Sequence, residues 1–269
     1  MNLLHKTAIV TGSSMGIGKR IAEQLAQAGA SVVINARNKE RLERTRWELE
    51  AKGMRIAAFV GDVSDPAVCQ GLAHFALDTF GSIDILVNNV GVGSRGHFEN
   101  TNPEVFQYVL NSNILGVVYP TLSALPQLKL AKGSVIFISS WAGFHGMPNA
   151  SAYCMSKRAI SSLAESLRVE TAQEDLHVGI VYVGITKNDP DKKVLYSDGH
   201  WGNLDSHNGL FVDAPEDTAK AVLDAIQNRR FETIVGMKGK AYYWIQKLAP
   251  WFVDFTFRHQ MNVIESAQH

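Results

Sequence analysis

Short runs of β-branched and apolar residues alternate along the chain with stretches whose apolar positions recur every three to four residues. Thr7-Ala8-Ile9-Val10 and Ser31-Val32-Val33-Ile34-Asn35 are the first two runs, and Ile56–Val60, Ile85–Asn88, Ser134–Ile138, Val178–Tyr182 and Thr233–Val235 follow. Their nearly continuous apolar character is that of parallel strands covered on both faces. Ile17, Ile21 and Leu25 trace a helix face, with Gly29 where a C-terminal cap belongs. Asn38 is placed to cap a charged helix over 39–52, and Asn102-Pro103-Glu104 opens another. This alternation predicts an α/β fold: a doubly wound parallel sheet of about seven strands with helices on both faces.

Two regions break the rhythm. The polar stretch 187–213 is predicted as a substrate lid anchored by Val194, Leu195, Tyr196, Trp201, Leu204 and Phe211, with His200 and His207 as solvent-facing loop histidines. The tail 237–269 is rich in aromatics (Tyr242, Tyr243, Trp244, Trp251, Phe252, Phe255, Phe257), and Pro250 divides it into two short helices. Its apolar face has three readings: packing on the protein's own core or a partner copy, a wall of the substrate pocket, or peripheral membrane contact helped by Lys238, Lys240, Lys247 and Arg258.

With 269 residues the chain is expected to be one domain, 1–269, able to bury its core without disulfides or metal. A formal net charge of zero gives no global attraction to nucleic acid. Cys69 and Cys154 form no metal-spaced cluster, and no apolar run reaches the roughly 18 residues of a membrane span. The opening residues turn polar too soon for a signal peptide, so a cytoplasmic location is expected.

The candidate chemistry lies where strands end. Thr11-Gly12-Ser13-Ser14-Met15-Gly16-Ile17-Gly18 joins the first strand to the first helix. Gly12 permits a tight turn, Gly16 lets the backbone approach a pyrophosphate, and Gly18 allows close helix–strand packing, with Ser14 and Ile17 in the same turn. The second strand ends in Asn35-Ala36-Arg37-Asn38, with no acid to hold a ribose diol. Arg37 suits a 2′-phosphate, so NADP(H) is favoured over NAD(H); otherwise it is a solvated arginine opening a helix. After the third strand, Asp62 and Val63 are candidates for holding the adenine, or Asp62 caps the next turn.

Tyr153-Cys154-Met155-Ser156-Lys157 puts a phenol and an ammonium on one helix face. The lysine charge, together with a cationic nicotinamide, is predicted to lower the tyrosine below its ordinary pKa near 10. Ser139-Ser140 and Asn88-Asn89-Val90-Gly91 end two other strands at the same sheet edge.

Taken together, these segments closely resemble the short-chain dehydrogenase/reductase family over roughly residues 5–186. The resemblance implies a Rossmann-type NAD(P)-binding fold and interconversion of a ketone and a secondary alcohol. It implies Ser140, thirteen residues before the tyrosine, as the serine on the substrate oxygen. Tyr153 becomes the proton donor or acceptor, and Lys157 the ribose ligand that depresses the tyrosine. Asn113 matches the asparagine that positions a relay water, with Asn111 as competitor. Asn89 and Gly91 match the cofactor-supporting turn, with Val90 for the usual alanine. After the sixth strand the family's Pro-Gly reads Val183-Gly184, leaving Gly184 and Thr186 as candidate contacts to the nicotinamide. No metal is needed. The lid and tail favour an apolar ketone or alcohol, and a homodimer or homotetramer is expected. The alternatives are a 3-ketoacyl-carrier-protein-type reductase and a non-catalytic NADP(H)-sensing protein of the same fold.

Overall fold

The computed structural model describes residues 3–187, 189–203 and 212–266, with residues 260–266 described by their backbone alone. In chain order the strands are β1 (Thr7–Val10), β2 (Ser31–Ala36), β3 (Ile56–Val60), β4 (Ile85–Asn88), β5 (Ser94–Arg95), β6 (Ser134–Ser140), β7 (His177–Val183), β8 (Lys193–Tyr196), β9 (Trp201–Asn203) and β10 (Glu232–Ile234). Seven of them form one sheet in the order β10-β7-β6-β4-β1-β2-β3, parallel throughout. All seven strands expected from the apolar runs are there.

Alternate residues of the central strands feed two cores. Ala8, Val10, Val32, Ile34, Ile136 and Ile138 face one side, where they meet Ile21 and Leu25 of α1 (Gly16–Gln27), Leu42 and Leu49 of α2 (Lys39–Glu50) and Val222 of α7 (Pro215–Gln227). Ile9, Val33, Val135 and Phe137 face the other side, covered by α3 (Pro66–Phe80), α5 (Gly116–Leu130) and α6 (Ser151–Glu170). Burial on both faces is why these strands read as unbroken apolar runs. The Asn38 side chain caps α2 by accepting from Arg41 N at 2.8 Å, and Gly29, with φ of 100°, follows α1. β1 lies between β2 and β4, so the strand order reverses there and opens a crevice beyond the carboxyl ends of β1 and β4.

Two features differ from the sequence expectation. The stretch after Lys187 is not wholly irregular: β8 and β9 form a hairpin, and β8 also pairs in parallel with β5. Only the adjacent pair Val194 and Leu195 is buried in this four-residue strand, too short a run to show a period in the sequence. Leu204, His207 and Phe211 of the expected lid lie outside the described residues. Between α4 (Pro103–Leu110) and α5, residues Asn111–Leu115 form one π turn. Pro250 does divide the tail, into α8 (Gly236–Leu248) and α9 (Pro250–Ser266). Among the described residues no helix is long and apolar enough to cross a membrane.

Candidate active site

The glycine turn is built for close approach. Gly12 and Gly16 have φ of +62° and +53°, the left-handed region where side chains are strained. A Cβ on Gly18 would fall 2.3 Å from the Gly12 carbonyl oxygen, so α1 presses directly on the turn. Asn89 Nδ2 donates to the carbonyls of Thr11 and Gly12 at 3.1 and 2.9 Å, fastening the β4 turn to the β1 turn. Ser13 Oγ donates to Val10 O at 2.7 Å, and Ser14 O accepts from Thr45 Oγ1 at 2.9 Å. Ile17 packs into the α1 core. Met15, at the cap position of α1, supplies no side-chain acceptor, and nothing stands within 4 Å of the Cβ position of Gly16. Uncapped helix N–H groups facing open space fit a pyrophosphate.

Arg37 donates to Tyr108 Oη at 2.7 Å and lies 3.5 Å from Asp62. Asp62 Oδ1 accepts from Ser64 N and Oγ at 3.0 and 2.8 Å, so this carboxylate caps its turn, and those bonds with Arg37 hold its pKa below the usual range despite burial. Val63 is buried beneath it. A cleft of about 300 Å³ beside the glycine turn is lined by Ser14, Met15, Arg41, Arg44, Asp189 and Asp191 among others. Arg41 bridges it to Asp191 at 3.1 Å.

Ser140, Tyr153 and Lys157 come together at the carboxyl edge of the sheet. Ser140 ends β6, and its side chain acts on the Tyr153 hydroxyl, favouring the ionised phenol. Ser139 points the other way, into α6, donating to Lys157 O at 3.0 Å. Lys157 is buried, 5.8 Å from the centre of the Tyr153 ring, and donates to Ile138 O at 3.0 Å. Burial pushes its ammonium down to about 8, with the Lys192 charge adding to the fall. The lysine by itself does not lower the phenol. Burial raises the Tyr153 pKa and outweighs the lowering by Ser140 and Arg95; the lysine is not among its determinants. The reason is geometric: the ammonium is turned to a backbone carbonyl, and a desolvated phenol resists ionisation.

Asn113 sits in the π turn and is fully buried, whereas Asn111 is exposed. Asn113 Oδ1 accepts from Val92 N at 2.7 Å, while Nδ2 donates to Val92 O and Ser156 Oγ, both at 2.9 Å. Its side chain thus clamps the strand leaving β4 to α6. Gly91, just before the clamp, has a Cβ position 3.0 Å from Lys157 Nζ.

The profile for "short chain dehydrogenase" matches residues 6–197. The chain belongs to the short-chain dehydrogenase/reductase family. A dehydrogenase/reductase SDR family protein 7-like from Anopheles gambiae is 32% identical over 93% of this chain and 81% of its own length. The 11-beta-hydroxysteroid dehydrogenase-like 4A of Arabidopsis thaliana is 33% identical over 91% and 81%. A metagenomic short-chain oxidoreductase solved in complex with NADP superposes with a TM-score of 0.72 at 29% identity, over 87% of this chain and 98% of its own. As a short-chain dehydrogenase/reductase, this chain is an oxidoreductase with a site for a nicotinamide nucleotide.

Several residues of this short-chain dehydrogenase/reductase site carry no signal in the sequence. Trp141, directly after Ser140, fills the space at Gly184, where a Cβ would meet the indole at 2.4 Å. Gly184 is therefore required by packing. Val183 stays in the ladder opposite Ser140, with the N–H that a proline lacks. Thr186 is buried and donates to Gly184 O at 3.3 Å. Arg95, on the small sheet, and Lys192, just before β8, also act on the site, and the β5–β8 pairing sets the two segments side by side. Among the described residues no cluster of side chains could hold a metal ion.

Proposed function

We propose that this protein interconverts a ketone and a secondary alcohol with NADP(H), on a largely apolar substrate. The observation that carries the reading is the grouping of Ser140, Tyr153 and a buried Lys157, its Nζ 5.8 Å from the phenol ring, at the sheet edge that also holds the glycine turn. Gly12, Ser14, Gly16, Ile17 and Gly18 would hold the pyrophosphate, and Arg37 the 2′-phosphate. Asp62 and Val63 would flank the adenine, while Asn89, Gly91, Gly184 and Thr186 would line the nicotinamide side. When bound, the nucleotide supplies the hydride.

The chain's own groups handle the proton and the charge. Ser140 Oγ and the Tyr153 hydroxyl would both donate to the carbonyl oxygen as it gains charge. A phenol held protonated by burial is suited to donate in reduction, and the same group accepts in oxidation. Lys157 would bind the ribose and add positive charge, while Asn113 keeps Gly91 and the relay path in register. Arg37 supports the NADP(H) preference because a guanidinium forks onto a phosphate and no acid competes for the ribose at the end of β2. A cytoplasmic homodimer or homotetramer fits the zero net charge and the exposed Trp244, Leu248, Trp251 and Phe255 of the tail, which also suit a peripheral membrane contact.

The test is NADPH oxidation, followed by absorbance, against ketones of graded size, with NADH in parallel. Turnover with NADPH at least tenfold more efficient than with NADH is expected, and Tyr153→Phe should remove turnover by a factor on the order of 10² or more while cofactor binding persists. Cofactor binding with no ketone turned over would favour the sensing role. Equal efficiency with both nucleotides overturns the NADP(H) assignment.

A further inference from the structure

The short strand β5 leaves the turn that ends β4 and runs past the site. Asn113 fixes Val92 through both of its backbone groups. Two residues on, Ser94 and Arg95 pair with Leu195 and Tyr196 of β8, and Leu195 N donates to Gly93 O at 3.0 Å. The same parallel register carried back along both chains brings Lys192 to the Gly91 end, where Lys157 Nζ already lies. Beyond Arg95, Gly96 N donates to Asn149 O at 3.0 Å, just ahead of the helix that carries Tyr153. Arg95 and Lys192 are thus brought to the Tyr153–Lys157 pair by one backbone ladder.

Their charges meet there. Arg95 acts on the Tyr153 phenol, on the Cys154 thiol and on Lys192, and Lys192 acts on Lys157. Lys192 is lowered by the surrounding protein and by Arg95, with Asp189 opposing. Neither cation is in an ion pair among the described residues: Arg95 Nη1 donates to Ser94 O at 3.2 Å, and the neighbouring Asp191 is turned to Arg41. A neutral substrate leaves Arg95, Lys192 and Lys157 with that mutual repulsion unrelieved. An anion on the substrate removes that cost and gains charge-assisted bonds from the donors of Arg95 that Ser94 leaves unused.

We propose that the substrate carries an anionic group, a carboxylate or a phosphate, bound by Arg95 and Lys192 beside the carbonyl that reacts. The apolar body expected from the lid and tail then ends in a charged head. This rests on the carbonyl–alcohol reading above and is separable from it.

The test compares 4-oxo-4-phenylbutanoate with its primary amide as substrates, and 4-phenylbutanoate with its amide as non-reacting ligands of the protein with NADP⁺, by calorimetry. In the wild type the acid should exceed the amide at least about tenfold in kcat/KM and in affinity, as a charge-assisted contact allows. Arg95→Gln and Lys192→Gln should each cut that ratio several-fold, and the double variant should bring it near one. A wild-type ratio near one overturns the proposal. So does an equal loss on acid and amide, which makes Arg95 a support of Tyr153 alone. A rise in KM for NADPH with the ratio intact also overturns it, by giving these cations to the nucleotide's pyrophosphate. If neither ketone is reduced, the non-reacting pair still decides: a carboxylate preference lost in the variants upholds the anion site while the reductase reading fails.

Discussion

Lys157→Met should make the protein more stable at neutral pH while it destroys turnover. Lys157 is 4% exposed, and its ammonium is pushed from 10.5 to about 8, chiefly by burial and then by Lys192. That fall corresponds to about 3 kcal/mol spent on keeping the group charged in the folded state. Methionine fills a similar volume without the charge. Against this gain stands the bond from Nζ to Ile138 O, worth about 1 kcal/mol net. The variant should therefore be more stable by about 1–2 kcal/mol at pH 7. The pH dependence fixes the cause. Below the folded pKa both states hold the proton and the wild type bears the full penalty. Between about 8 and 10.5 the unfolded chain binds more protons than the folded one, so wild-type stability rises with pH and the variant's does not follow. Urea unfolding followed by tryptophan fluorescence at pH 7 and pH 10 measures both gaps, and the variant's advantage should shrink by about 2 kcal/mol. A variant less stable than wild type at pH 7, or a gap that ignores pH, refutes the reasoning.

The two serines that end β6 should separate cleanly. Ser140→Ala should lower kcat on the order of 10²-fold, since its hydroxyl meets the phenol, whereas Ser139→Ala should keep most activity and lose about 1 kcal/mol in urea unfolding. Asn113→Ala should cost about 2–4 kcal/mol by orphaning both backbone groups of Val92, while Asn111→Ala, exposed, should stay within about 0.5 kcal/mol. Denaturation midpoints of the two asparagine variants check this difference.

The parts of the fold legible in the sequence are those set by local rules. Strands buried on both faces read as apolar runs, and a left-handed backbone at Gly12 and Gly16 demands glycine. Phenol and ammonium four residues apart on a helix share a face whatever the tertiary structure does. Ser140 could be told from Ser139 only by its spacing to Tyr153, and the structure gives the physical difference: one side chain faces the phenol, the other the α6 backbone. What stayed hidden depends on distant pairing. Ser94-Arg95 is too short to show a period, and it becomes a strand because β8 arrives beside it from a hundred residues away. The rise of the Tyr153 pKa stays hidden for the same reason. Spacing reports which groups are near, but desolvation depends on everything packed around them.

The aromatic tail shows how such long-range packing reaches the site. Its inner half is core: Tyr243 lies 5.0 Å from Phe144, and Tyr242 lies 5.9 Å from Trp141. Its outer half leaves Trp244, Leu248, Trp251 and Phe255 exposed. Trp141 joins the two sides, since a Cβ at Gly184 would meet its ring at 2.4 Å and one at Gly239 of α8 would meet it at 2.7 Å. An indole held between two glycine backbones has no room to shift without moving one of them. Trp141 also begins the turn whose first hydrogen bond, from Ala142 N, ends on Ser140 Oγ at 3.2 Å. The position of α8 and the placement of Ser140 are therefore set together.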